Sequence, residues 1–431
     1  MTPIAAFAVN RAMTAALRDR GRARVVSLTL PLVGLLVVAC GDARVPAGPP
    51  SSPSAVATAT APATTPIATP APPSASPTPT PSTVVAPACT AQARLELWSI
   101  QRMAWQLVVV PAQLTSLSSV RAEVASGAGG VLLFGSTAPA DLAAELHRLE
   151  SAAPGGIVPV VMSDIEGGNV ERAANLLGPM PSARQLGQTM TPSQIQAYAL
   201  AAGRRMRSIG ITMDLAPVMD LDAGYGPTAS NPDGTRSFSA DPRVAAADSG
   251  AFAAGLSAAG VVPVGKHFPG LHGAGDNTDL GPAQTWSWSQ LQQHGLLPFT
   301  TAFGRGLPAV MLSNASVPGL STLPSSISPQ VVGVLRGQLG FGGLVLTDSL
   351  TAGAITKIGL SAPSAMAAAI VAGADMLLYD DAHVNVAATA LAAVAAIAAA
   401  VASGRLPRAQ LMASVNRVLA AKHVDLCAGS R

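Results

Sequence analysis

Charge is scarce in this chain. Of its 431 residues only 11% are Asp, Glu, Lys or Arg, and lysine occurs three times, at Lys266, Lys357 and Lys422. That leaves no basic stripe of the kind a nucleic-acid surface needs, so no nucleic-acid partner is expected. The formal charge of +3 does not argue otherwise, because residues 1–39 hold five arginines and one aspartate and the remainder stands at −1. The stretch from Val25 to Val38, interrupted by Ser27 and Thr29, is too short to span a bilayer comfortably. Cysteine occurs three times, at Cys40, Cys89 and Cys427. The bias towards Ala, Gly, Pro and Arg is of the kind a GC-rich genome imposes.

What is present near the start reads as an export signal. Arg18, Arg20, Arg22 and Arg24 precede the apolar run, which ends in Val37-Val38-Ala39-Cys40. This tetrad resembles a bacterial lipobox, which implies cleavage before Cys40, lipid attachment to it, and a membrane contact on the outer face through that anchor. An ordinary secretory signal with an incidental cysteine is the plainer alternative. Residues 40–88 follow as a linker, from about Val45 to Pro87 almost wholly Pro, Ala, Ser, Thr, Val and Gly. Too few large apolar groups lie there to offset the entropy of ordering, so a disordered tether is expected.

The remaining segment, 89–431, is flanked by Cys89 and Cys427. Outside the cytoplasm such an isolated pair is expected to oxidise, restraining the unfolded chain by roughly 5 kcal/mol in the entropy model. Two free thiols are the alternative. Between the cysteines, short β-branched runs alternate with Ala-rich helical stretches. The runs are Leu107–Val110, Val131–Phe134, Val158–Met162, Ile211–Leu215, Val261–Val264, Ala309–Leu312, Leu344–Leu346 and Asp375–Leu378. Eight such runs predict an α/β fold, a (β/α)8 barrel, with a doubly wound open sheet as the second choice. Polar residues cluster at their ends: Asp164, Asp214, Lys266-His267, Ser313-Asn314 and Asp348. In a barrel those positions converge on one mouth.

Five ordered blocks carry a family resemblance. Lys266-His267-Phe268-Pro269-Gly270 is the most specific. Asp164-Ile165-Glu166-Gly167-Gly168, Asp214 to Val218, Arg236-Ser237-Phe238 with Asp241-Pro242, and Leu339 to Gly343 leading to Thr347-Asp348-Ser349-Leu350 accompany it. Together they resemble family 3 glycoside hydrolases of the N-acetylhexosaminidase type, over about residues 93 to 425. The resemblance implies an exo-acting, retaining β-glycosidase of cell-wall-derived glycans with a carbohydrate substrate and no cofactor. It assigns Asp348 as nucleophile and Asp164, Arg236, Lys266 and His267 as sugar contacts. Unaided by the family, Asp348 reads more simply as a helix N-cap. Glu166, beside two glycines, reads as loop support. A barrel metal hydrolase is disfavoured, since no His-x-His pair falls on an early strand, and no metal is expected.

One departure stands out. The family's loop after the fifth strand carries an Asp-Ser-His unit whose histidine is the acid/base. Here the loop reads Leu271 to Asp279, and aligning Asp276 puts Thr278 in the histidine's place. A threonine hydroxyl is far too weak an acid for that work. Asp276, Asp279 and His272 are therefore the replacement candidates, and a binding-only lipoprotein is the alternative reading. Oligomeric state is not legible in the sequence.

Overall fold

The computed structural model describes residues 89–428, apart from positions 223, 229, 230, 381 and 383. The expected signal 1–39, the lipid-bearing Cys40 and the linker 40–88 lie outside the described residues. No helix among the described residues is long and apolar enough to cross a membrane.

Seven strands run parallel in chain order: β1 (Val109–Gln113), β2 (Gly130–Phe134), β3 (Val160–Ser163), β4 (Met213–Asp214), β5 (Val262–Phe268), β6 (Ala309–Leu312) and β7 (Leu344–Thr347). The eighth run makes only single bridges, Leu346 to Met376 on one side and Val108 to Leu377 on the other. Those bridges join the last strand to the first. The curled sheet thus closes through residues 375–378 into a barrel-like ring. Its strands are apolar on successive residues and almost wholly buried, as parallel strands covered by crossover helices must be.

Sequence and structure differ at strand ends. β1 begins two residues later than the run Leu107–Val110 and continues through Pro111 to Gln113. Val109 is bonded through its amide to the Leu377 carbonyl. Pro111, two residues on, points the same way where the ladder with 375–378 has ended, so its missing N–H forfeits nothing there. β5 extends four residues past Val264, with a register shift between Gly265 and Phe268. Lys266 and His267 therefore lie within the strand rather than after it.

Local signals set the helices. Helix Pro192–Ser208 opens on a capping box in which Thr191 and Gln194 satisfy each other's backbone amides. Helix Pro242–Ala258 is capped by Asp241, whose carboxylate accepts from the amides of Arg243 and Val244, with proline at the first helical position. The Asp241-Pro242 block is thus a helix start. At the chain ends Cys89 and Cys427 form a disulfide, their Cα atoms 5.8 Å apart. Arg408 reinforces this closure by donating to the carbonyls of Glu96 and Trp98.

Candidate active site

A cavity of about 580 Å³ opens where the strands end, lined by Asp164, Arg236, Lys266, His267 and Asp348. Residues from β2, β5 and β6 and from the segments after β3, β4, β7 and 375–378 all contribute to it. A volume of this size falls in the range of small-molecule sites. Four of these residues lie at strand ends, and Arg236 reaches in from the long segment after β4. Residues up to 184 positions apart (164 to 348) meet there because a parallel barrel directs every strand's carboxyl end to one face.

Glu166 is the hub of the charge network. Its carboxylate takes Nε and Nη2 of Arg236 at 2.7 and 2.9 Å and Nζ of Lys266 at 2.5 Å. Lys266 also donates to Asp164 at 2.6 Å. Burial disfavours the charge on Glu166, but Arg236 and Lys266 overcome it and hold the carboxyl well below its ordinary range. Burial likewise works against the Lys266 ammonium, and Asp164 and Glu166 reverse that, raising its pKa. Glu166 is therefore more than loop support: it fixes the two cations that face the cavity.

His267 is oriented from behind. Its Nδ1 lies 2.6 Å from Asp220, which also accepts from the amide of Leu271 at 2.9 Å. Burial opposes the charge on Asp220, yet His267 and these hydrogen bonds keep its pKa low. Asp233 behaves oppositely: burial and the adjacent Asp220 push its pKa well up. Asp220, Asp233 and His267 place ligand atoms within 4.8 Å of one another. The raised pKa of Asp233 suits a proton shared between the two carboxyls. Nε2 of His267 is left facing Arg236, 3.4 Å from its Nη2.

Asp348 follows β7 and is partly exposed to the cavity. It caps no helix: the next one is Gly353–Thr356, whose N-cap is Ala352. The Asp348 carboxylate instead accepts from the amide of Ser349 at 2.7 Å. Asn314, after β6, donates to the Ser349 carbonyl at 2.7 Å and steadies that turn. Asp214 accepts from the amide of Ile165 at 3.0 Å, and burial raises its pKa well above the ordinary value. It braces the Asp164 loop.

The three candidates on the loop after β5 separate cleanly. His272 is fully buried. Its Nδ1 accepts from the Leu221 amide at 2.7 Å and its Nε2 faces the Gly295 carbonyl at 3.1 Å, with the ring packed on Trp286. Burial lowers its pKa. It supports the wall and does not reach the cavity, so it is withdrawn as an acid/base. Asp276 is exposed and is not among the residues lining the cavity. Thr278 and Asp279 do line it.

Two residues escaped the sequence reading. Asp220 lies six residues past Asp214, beyond the end of the two-residue β4, where no strand pattern marks it. Asp380 lines the cavity after the eighth run and accepts hydrogen bonds from the hydroxyls of Ser349 and Thr351 at 2.9 and 2.7 Å. It follows the most irregular strand, where no pattern marks the end.

A parallel α/β ring with paired carboxylates and sugar-sized space at its mouth is the architecture of a barrel hydrolase. The chain belongs to glycosyl hydrolase family 3: the family model described as the glycosyl hydrolase family 3 N-terminal domain matches residues 104–421. It is similar to the beta-hexosaminidase LpqI of Mycobacterium tuberculosis, 39% identical over 239 residues, covering 53% of this chain and 61% of that protein. The chain thus spans about three fifths of the length of that relative. An uncharacterized secreted glycosyl hydrolase of Arthroderma benhamiae is 32% identical, over 68% of this chain and 84% of its own. The crystal structure of a beta-N-acetylhexosaminidase from Beutenbergia cavernae superposes with a TM-score of 0.66 at 32% identity, over 76% of this chain and 99% of its own.

Proposed function

We propose that the protein is an exo-acting, retaining β-glycosidase that releases N-acetylhexosamine residues from cell-wall-derived glycans. The observation that carries this is the convergence of Asp164, Arg236, Lys266, His267 and Asp348 on one cavity. Asp348 is the nucleophile, since its oxygen not aligned with Ser349 is free to meet an anomeric carbon. Asp164 and Lys266, paired at 2.6 Å, offer an acceptor and a donor to vicinal hydroxyls, the pattern a sugar diol requires. His267 Nε2 and the remaining N–H groups of Arg236 complete the contact set. The names of the M. tuberculosis and B. cavernae relatives agree with this substrate class. A binding-only role gains no support from them.

Hydrolysis of an aryl N-acetyl-β-glucosaminide followed by proton NMR tests the reading. The first product formed is the β anomer if a glycosyl-enzyme on Asp348 intervenes. First appearance of the α anomer, or no turnover on any aryl N-acetylhexosaminide, rejects it.

Export is part of the same proposal. Residues 1–39 act as a signal peptide, Cys40 carries the lipid, and 40–88 tether the catalytic segment 89–431 to the outer face of the membrane. The lipobox-like Val37 to Cys40 and the secreted relative in A. benhamiae support this. Cys40→Ala should move the protein from the membrane fraction to the soluble one. An unchanged distribution refutes the anchor.

A further inference from the structure

We propose that Asp279 is the proton donor and acceptor of this site, held beside Asp348 by a backbone clasp between its loop and the helix Gly353–Thr356. The inference rests on the reading of Asp348 as nucleophile. It replaces the family's histidine with a carboxyl, so that the pair would be two carboxyls, which a retaining glycosidase needs roughly 5 Å apart.

The clasp is the structural ground. Asp279 and Asp348 line the same cavity. The amide of Gly353 donates to the Asp279 carbonyl at 3.0 Å, and that of Ala354 to the Thr278 carbonyl at 2.9 Å. The helix that begins five residues after Asp348 thus grips the very residues in question. Within the loop, the Asn277 side chain accepts from the Asp279 amide at 2.8 Å, and its carbonyl accepts from the amides of Leu280 and Gly281. Glycine is required at 353: a Cβ there would stand 2.5 Å from the Leu280 carbonyl carbon and 2.7 Å from the Gly281 nitrogen. At this point the two segments meet backbone to backbone.

Apart from Asp348, every other acid of the cavity is already engaged. Asp164 and Glu166 are ion-paired, and Asp380 holds two hydroxyls and the amide of Ala382. Tyr379 donates its hydroxyl to the Val386 carbonyl. The Asp279 carboxyl makes no side-chain ion pair among the described residues. The residue sits exposed at the rim, yet partial burial of its carboxyl and the neighbouring Asp348 raise its pKa, which favours a proton there. In the first step an Asp348 oxygen bonds to the anomeric carbon, the bond from that carbon to the leaving oxygen breaks, and the Asp279 proton passes to that oxygen. In the second, a water attacks the anomeric carbon, the Asp279 carboxylate takes its proton, and the bond to Asp348 breaks.

The test uses the full chain with three variants, Asp279→Ala, Gly353→Ala and Asp348→Asn, and two substrates, chitobiose and dinitrophenyl N-acetyl-β-glucosaminide. A proton donor matters for the poor leaving group and little for the activated one. Asp279→Ala should lower kcat/KM by ~10²–10⁴-fold on chitobiose and less than about tenfold on the dinitrophenyl substrate. Azide should restore its kcat and yield the β-glycosyl azide, since an anion needs no base. The alkaline limb of the chitobiose pH profile should disappear. Gly353→Ala should show the same leaving-group dependence to a smaller degree. Equal losses on both substrates, no azide product, or unimpaired chitobiose cleavage overturns the role of Asp279. Wild-type turnover that survives Asp348→Asn instead overturns the nucleophile reading on which it rests.

Discussion

Below the start of β7, at the floor of the barrel, Asp375 lies between Arg336 at 2.6 Å and Arg417 at 3.0 Å and accepts from the Val345 amide at 2.9 Å. At the mouth the proportions reverse: Glu166 pairs with Lys266 and Arg236 and Asp164 with Lys266, while Asp279, Asp348 and Asp380 add further carboxylates around open space. Both clusters bury charge, yet the floor network closes on itself and the mouth network leaves donors and acceptors facing a cavity. Neutralising a buried charge with neighbours on all sides yields rigidity. Holding cations from one side only leaves their other side available to a ligand. Burial and ion pairing therefore do not mark a site; incomplete pairing around a cavity does.

Substitutions on the two clusters should separate these roles. Glu166→Ala strands Arg236 in a buried wall and leaves Lys266 with Asp164 alone. It should cost about 3–5 kcal/mol of stability and also lower kcat/KM at least about 100-fold, read by thermal melts and by initial rates on an aryl N-acetylglucosaminide. Asp375→Ala should cost about 2–4 kcal/mol but leave turnover per folded molecule unchanged. A loss of kcat in that variant would break the division between floor and mouth.

Lys422 sharpens the comparison at the small end. Its ammonium is bonded to Gln106, ahead of β1, and to no carboxylate among the described residues, and burial lowers its pKa to about 7. The unfolded chain binds that proton at higher pH than the folded one, so stability should rise with pH between about 7 and the ordinary lysine value. Below pH 7 the penalty is present in full. Lys422→Met should therefore stabilise the fold by about 1–2 kcal/mol at pH 6, partial exposure of the residue limiting the gain. The gain should shrink towards pH 10. A melting difference that does not change with pH contradicts the assignment.

Much of this was readable beforehand because strand interiors and strand ends obey different chemistry. The runs of Val, Ile and Leu sit in a doubly covered sheet, and the polar residues just past them can only face the mouth. Less regular pieces hid what they do. β4 is two residues long, so Asp220 looks like loop until His267 is seen against it. Three residues of the eighth run, at positions 376–378, carry its bridges and its backbone bond to Leu350, and Asp380 beyond them had no strand to announce it. His272 was a candidate by proximity in sequence, but its glycine-flanked turn sends the ring inwards against Trp286. The placing of Thr278 and Asp279 on the cavity wall depends on the close approach at Gly353, a backbone contact between segments more than seventy positions apart.

The nucleophile is the most direct point of attack. A fluorinated N-acetylglucosaminide that forms its glycosyl-enzyme quickly and hydrolyses it slowly should add one sugar to the intact protein. Peptide mapping should then place that sugar on Asp348. Inactivation with the label on another residue, or continued hydrolysis of a good substrate with no label trapped, would contradict the site described above.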